Sequence, residues 1–305
     1  MKKSFVLAVF MAAVASCGLF DNQGTPEGYV KHCVRLLDRD GLYAGGPEWK
    51  AKRKEILESA KTITSLDEAH TLVQDAANVA GGKHSFLWAP VKDTVSYVED
   101  EPEVEMLDGN IARVKLTAHT GVKVSDSLYI HKILGFLKEH MDAPGVIVDL
   151  RQNTGGNMYP MIASVSPLIP EGIIIKFKGR KRTFPVSLEY VRSSYGVDGN
   201  AKFPSSTPIA VLTDSLTASS GEATLICFRG LENARTFGGP SAGYASGNVT
   251  HELIDGYKFA ITRSCDVART GEVFCEDPID PDVLTETPLE DALNWISRSQ
   301  DQKRP

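Results

Sequence analysis

The sequence predicts an α/β protein with a largely parallel sheet and added β-hairpins, preceded by a small helical subdomain. Three observations lead there. Two continuous apolar runs, "GVIVDLR" (145–151) and "PIAVLTD" (208–214), have the character of strands buried on both faces, and each is followed by a helix-like segment. Strand, helix, strand, helix implies right-handed crossovers and parallel pairing. Ahead of them, from residue 28 to 80, the apolar spacing is that of helices.

The chain of 305 residues begins with Lys2 and Lys3, then an apolar run from Phe5 to Ala15 that is short for a bilayer span. "VASCG" (14–18) follows, a branched apolar residue and two small residues before a cysteine. This is the lipobox pattern of bacterial lipoproteins, in which Cys17 is lipidated and becomes the mature N-terminus. Its rival is ordinary signal cleavage after Ala13-Val14-Ala15, which leaves a soluble secreted chain. On the first reading residues 1–16 are a lipoprotein-type signal peptide. Acyl chains on Cys17 then hold the protein at a membrane surface of the cell envelope, each buried methylene contributing roughly 0.8 kcal/mol. Both readings export the chain. Residues 17–27 read as a flexible tether, and what remains is long enough for one large core or for a small domain leaning on a larger one.

Residues 28–85 form the expected helical subdomain and 86–305 the core. "GYVKHCVRLLDRDGLY" carries Val30, Cys33, Leu36 and Leu37 on one face, and "SLDEAHTLVQDAANVAGG" opens on a serine cap and ends at paired glycines. "NIARVKLTA" (110–118) alternates as a strand. "SDSLYIHKILGFLKEHMD" is an amphipathic helix with Leu128, Ile130, Ile133, Leu134, Leu137 and Met141 inward. "GGNMYPMIASVSPLI" continues the first buried strand as a helix. "GIIIKFKGRKRTFPVSLEYV" is hairpin material with "GRKRTF" (179–184) as a solvated tip. Residues 249–275 read as twisted hairpins and "PLEDALNWISRSQ" as a terminal helix. The net charge is −6 with signs interspersed, so no basic stripe points to nucleic acid. Beyond Cys17 stand Cys33, Cys227, Cys265 and Cys275. Cys265 and Cys275 flank the turn "ARTGE" and are the expected disulfide in an exported chain. No Cys/His cluster has zinc spacing, and neither a metal nor a cofactor is expected.

In parallel sheets ligands lie beyond the carboxyl ends of the strands, so the loops "DLRQNTGG" and "TDSLTASSGE" should converge on one site. "TASSGEATLICFRG" (217–230) puts Ser219 and Ser220 at the mouth of a helix. Serine there is ordinarily a cap. As a nucleophile it needs a base within reach and donors for an oxyanion. The Ser220 N–H at the helix start and the turn at Gly155 and Gly156 are placed to supply those donors. Of seven histidines, His32, His70, His131 and His140 lie in helices beside polar residues and read as surface. His251 begins a late strand, and His119 ends a strand in "TAHTG". His84, in "GGKHSFLW", stands in a fixed turn. Residue types alone leave both His84 and His119 open as a base.

"GVIVDLRQNTGGNMYPM", then "IAVLTDSLTASSGEA" and "TFGGPSAGYASGN", resemble in order the motifs of the C-terminal processing (tail-specific) serine protease family, over residues 80 to 285. That family has a D-L-R-x-N-x-G-G turn and an S-x-S-E-like nucleophile motif, which implies Ser219 as nucleophile on a crotonase/Clp-protease-like core. Many members carry a lysine base in a G-E-P-T-F-G-K stretch. Here "GGPSAGY" puts Tyr244 at that position, and no lysine follows Ser219 before Lys258. The likeness is therefore to the histidine-base branch, which includes the tricorn core protease and the nisin-resistance proteases. "GGKHSF" resembles that branch's base segment and implies His84. The short spacing between Ser85 and Asn110 leaves no room for a PDZ module.

The same resemblance implies that Asn157 and Met158 line the substrate cleft, although Met158 equally fits a helix core. It also implies that a glutamate near the final P-D motif orients the imidazole: Glu276 in "EVFCEDPIDPD", or else Glu272. A dyad without that glutamate would also serve. Asp149 and Arg151 are expected to hold the glycine turn, and Glu222 to stabilise the first helical turn. The implied activity is that of an exported serine peptidase acting on peptide or protein substrates through an acyl-enzyme. The alternative is a non-catalytic peptide- or lipid-binding envelope lipoprotein on the same fold, because a fold does not confer activity.

Overall fold

The computed structural model describes residues 23–90, 100–121 and 124–301. The expected signal peptide, Cys17 and the first part of the tether lie outside the described residues. Three helices come first. α1 (Pro26–Asp40) starts on Thr25, whose hydroxyl accepts the Gly28 N–H, with proline in the first turn. α2 (Pro47–Ser59) follows, and α3 (Leu66–Ala80) opens on a reciprocal capping box between Ser65 and Glu68. The strands that follow are β1 (Phe86–Trp88), β2 (Glu103–Leu107), β3 (Ile111–Lys115), β4 (Val146–Asp149), β5 (Ile173–Gly179) and β6 (Thr183–Ser187). After these come β7 (Ile209–Thr213), β8 (Ala234–Gly238), β9 (Ser246–Glu252), β10 (Lys258–Val267), β11 (Val273–Phe274) and β12 (Val283–Leu284). The remaining helices are α4 (Asp126–Glu139), α5 (Met158–Ser164), α6 (Leu188–Ser194), α7 (Ser220–Phe228) and α8 (Pro288–Asp301).

The fold is the mixed α/β arrangement that the alternation predicts. One sheet runs β12-β8-β7-β4-β3-β2, parallel except for β2 at its edge. β4 and β7 are buried along their whole length because helices cover both faces. α4, α5 and α7 pack on one face, and α8 places Ala292 and Ile296 against Ile147, Ala210 and Leu212 on the other. Each such aliphatic side chain contributes about 1.5–3 kcal/mol by leaving water. The second sheet is antiparallel, β1-β10-β5-β6, with β9 and β11 also paired to β10. The three N-terminal helices close over it: Tyr29, Leu37, Trp49 and Val73 share a core with Phe259 and Ile261 of β10. Leu87 of β1 and Val249 of β9 pack against the same core, so the layer meets this sheet through several strands.

Several expectations are corrected. Leu128 is 65% exposed, and the inward row of α4 is Tyr129, Ile130, Ile133, Leu134 and Leu137. At about 100° per residue Leu128 stands roughly 200° from Ile130, on the opposite face. The hairpin segment ends in helix, not strand, because Ser187 caps α6 by accepting the Tyr190 N–H. The tip "GRKRTF" is not simply solvated: Arg180 Nη2 donates to the carbonyls of Asp38 and Arg39 at 2.8 Å each, at the α1 C-terminus. His70 is not a surface residue either. It stacks on Tyr257 and its Nε2 lies 2.7 Å from the Asp255 carboxylate. Cys265 and Cys275 are bridged as expected, and Cys33 and Cys227 are buried thiols. Among the described residues no helix is long and apolar enough to cross a membrane.

Candidate active site

The nucleophile side grows from the ends of β4 and β7. Asp149 is fully buried and accepts from Arg113 Nη2 at 2.7 Å and from Arg151 Nη2 at 2.6 Å. Burial alone would raise its carboxyl, but the hydrogen bonds from Arg151 and Arg113 outweigh it and hold the group below the usual carboxylate range. This pair anchors the loop that follows. Asn153, also fully buried, does the joining. Its Nδ2 donates to the Leu116 carbonyl at 2.9 Å, its Oδ1 accepts the Gly155 N–H at 3.0 Å, and its carbonyl accepts the Ala218 N–H at 2.9 Å. One side chain and its backbone thereby tie β3, the glycine turn and the serine loop together.

Contact at the turn is close. Gly155 has φ +105°, and a Cβ there would stand 2.8 Å from Ser219 Cβ. Gly156 has φ +119°, and its Cβ would stand 2.1 Å from the His119 carbonyl oxygen. Only glycine fits either place. Ser219 itself sits at φ 53°, ψ −114°, a conformation non-glycine residues seldom adopt and which persists only when the surroundings enforce it. Glu222 does the enforcing. Its buried carboxylate accepts the N–H groups of Ser219 at 2.8 Å, Gly243 at 2.8 Å and Tyr244 at 2.7 Å, and the Ser241 hydroxyl. Burial raises the Glu222 carboxyl above its ordinary range against the pull of these donors. Glu222 therefore clamps a whole loop, beyond the helix-start role expected of it.

Two N–H groups are left over for chemistry. Ser220 Oγ donates to the Gly156 carbonyl at 2.7 Å and fixes the turn to the helix start. The Gly155 N–H is taken by Asn153, and the Asn157 N–H by the His119 carbonyl at 2.6 Å. The Gly156 N–H has no acceptor among the described residues, and the Ser220 N–H is one of the donors a helix start leaves unpaired. The Gly155 N–H is thus engaged, while those of Gly156 and Ser220 are the unclaimed donors beside Ser219.

The base side is built differently. Past α3 the chain turns through Gly82 at φ +81°, where a Cβ would meet Glu276 Oε1 at 1.9 Å. Glu276 Oε1 accepts the Lys83 N–H at 2.7 Å. The carboxylate expected to orient the imidazole therefore braces the turn before it, because the turn presents the Lys83 N–H and not the ring. His84 Nδ1 lies 2.8 Å from Ser246 Oγ instead. Glu272 is elsewhere, paired with Arg229 and with Thr270 at 2.8 Å. His84 is 8% exposed, and burial, with a smaller push from the Lys83 charge, lowers its imidazole to about 4. A neutral serine partner does little to offset that burial. The contact engages Nδ1, and Nε2 makes no hydrogen bond among the described residues. Tyr244, at the position where a lysine base was sought, stands edge-on to His84 at 5.1 Å. His119 is fully buried with Nε2 2.8 Å from Asp126, and its backbone carries the glycine turn; its place is structural.

Ser219 and His84 line one cleft of about 1260 Å³, together with Ser220, Gly155, Gly156 and Ser246. Asn157 and Met158 line it too. Asn157 caps α5 by accepting the Tyr159 N–H at 3.1 Å. Met158 is 7% exposed and belongs to the main core as well as to the cleft wall. Sequence reasoning missed Ser246 and Asp266, cleft residues on β9 and β10 whose only signal is strand alternation. Among the described residues no cluster of His, Cys, Asp or Glu is arranged to hold a metal ion.

Comparison with known proteins gives the family of the chain. The profile of Peptidase family S41 matches residues 110–285. A nisin-resistance protein from Lactococcus lactis subsp. lactis is 33% identical over 282 residues, 89% of this chain and 87% of that protein. The structure of a lipoprotein from Streptococcus agalactiae superposes with a TM-score of 0.79 at 30% identity, covering 90% of this chain and 96% of the other. The photosystem II D1 C-terminal processing protease shares the fold, with a TM-score of 0.59 at 13% identity over 90% of this chain and 96% of its own. The chain belongs to peptidase family S41.

Proposed function

We propose that this family S41 chain is an exported serine peptidase with Ser219 as nucleophile and His84 as base. His84 Nε2 takes the Ser219 proton as Oγ attacks a peptide carbonyl carbon. The N–H groups of Ser220 and Gly156 hold the oxyanion, and losing one such donor typically costs about 2.7–4 kcal/mol. The imidazolium then protonates the leaving amine, the C–N bond breaks, and water hydrolyses the acyl-enzyme by the reverse path. Ser246 positions the ring and Glu276 steadies the turn beneath it. Neither touches the reacting atoms.

One observation carries the reading. A serine held in a strained conformation beside two unclaimed N–H groups shares its cleft with a buried, neutral imidazole from a distant part of the chain. A fluorophosphonate probe tests it: the protein should label at Ser219 and Ser219→Ala should not. Failure of the unaltered protein to label would favour a binding protein on the same fold. The substrates are peptides or proteins, and the name of the Lactococcus relative makes nisin a first peptide to assay. The lipobox at Cys17 supports lipid anchoring at the cell envelope, and Cys17→Ser should then move the protein from the membrane to the soluble fraction.

A further inference from the structure

Two carboxyls are buried behind the cleft wall, and they are unlike. Glu222 is filled with donors. Asp266 has none. It is 1% exposed, and it lines the cleft from β10 with Ala260 and Ser264. Its Oδ1 is sealed from solvent without a hydrogen-bond partner, and no Lys or Arg among the described residues is paired with it. The nearby charge is that of Glu222, of the same sign, which adds to the effect of burial in raising the Asp266 carboxyl well above its ordinary range. Its backbone is satisfied, the N–H donating to the Ala245 carbonyl at 3.2 Å, so only the side chain lacks a partner. A buried polar group without a partner weakens the fold, and native proteins keep few of them.

We infer that the missing donor is brought by the substrate: a lysine or arginine side chain of a bound peptide enters this end of the cleft and places its cationic head on Asp266. This rests on the peptidase reading above and adds the substrate class to it. The surroundings suit such a side chain. Phe177 is the ladder partner of Asp266 on β5, and Ala223 follows Glu222 at the start of α7; both line the cleft and offer apolar surface to an aliphatic stem. The cationic head donates to the carboxyl oxygens, and the resulting pair satisfies both groups. A neutral side chain of the same length leaves the carboxyl bare, which is how a buried polar group discriminates. Between β5 and β6 the cleft is lined by Arg180, Lys181 and Arg182, which repel a basic residue and favour its placement at Asp266. Cleaved peptides should therefore carry a basic residue at one fixed position relative to the cleaved bond.

A peptide library with lysine, arginine or norleucine fixed at each position in turn tests this. The unaltered protein should favour lysine or arginine over norleucine at one position by about tenfold or more in kcat/KM. Asp266→Asn should abolish that preference while retaining turnover of the norleucine peptide and fluorophosphonate labelling at Ser219. A protein that labels but shows no basic preference, or a preference that survives Asp266→Asn, overturns the inference. A second arm needs no turnover: binding of fluorescent lysine and norleucine peptides to Ser219→Ala, followed by anisotropy. Tighter binding of the lysine peptide supports the inference even if the unaltered protein neither labels nor cleaves, a result that removes only the peptidase reading. Equal binding of the two peptides overturns the inference.

Discussion

The loop around Ser219 and the turn carrying His84 face the same cleft but are held by different means. The serine loop is over-determined: Asn153 and Glu222 between them make at least six hydrogen bonds, to Leu116 just past β3, the glycine turn, Ser219 and the 241–244 loop, and both side chains are fully buried. The histidine turn is held by scattered, mostly neutral bonds: Glu276 to the Lys83 N–H, Ser246 to the His84 ring, Asn248 Nδ2 to the His84 carbonyl at 2.9 Å, and the Thr262 N–H to Ser85 Oγ at 2.9 Å. The first region rests on the parallel sheet and the second on the seam between the N-terminal helices and the antiparallel sheet. The contrast teaches that a strained nucleophile needs a rigid seat, whereas a base needs chiefly the right protonation state and a ring free to present Nε2. Damage to the two regions should therefore differ in kind, with the serine side losing stability and activity together and the histidine side losing activity first.

The largest effect should come from His84→Ala, which removes the base and should slow Ser219 labelling by at least roughly 10³-fold with little change in the thermal midpoint. A large fall in stability would break the contrast. Gly155→Ala comes next. The new methyl at φ +105° against Ser219 should cost about 1–3 kcal/mol in urea unfolding and also slow labelling sharply. Ser246→Ala should slow labelling only about three- to tenfold, the worth of a neutral hydrogen bond, and leave stability nearly unchanged. An effect of a different kind is in pH. His84 titrates at about 4 in the folded protein against 6.5 when unfolded, so its neutral form should set an acid limb near pH 4 in labelling. The folded state binds fewer protons in that window. This group's contribution to stability is thus fully present above 6.5 and lost as pH falls through 4, and His84→Gln should flatten that part of the stability profile.

What could be read from the sequence follows the same division. The buried strands β4 and β7 announce themselves as unbroken apolar runs, and Ser219 and the glycine turn lie directly at their ends, so local pattern and topology suffice to pair them. His84 is legible only through the resemblance of "GGKHSF", because its approach to Ser246 depends on how the helical layer docks on β9 and β10. Ser246 and Asp266 carry no local signal beyond strand alternation. Their placement follows from the register of β9 on β10, which shifts at an irregularity between Thr262 and Ser264. Glu276 was sought at the ring and found one residue short of it, since sequence places a carboxylate near a turn without saying which atom of the turn it meets. Leu128 shows the opposite failure, an apolar residue counted inward although helical geometry turns it to solvent.

The Cys265–Cys275 bridge has a reach that its ten-residue loop does not suggest. Asp266 directly follows one sulfur-bearing residue and Glu276 directly follows the other. A single covalent link therefore sits between the acid at the inner end of the cleft and the carboxylate that steadies the base. Neither segment can move far from the other while the bridge is closed, whereas Cys227 of α7, the helix that Ser219 opens, is a free buried thiol.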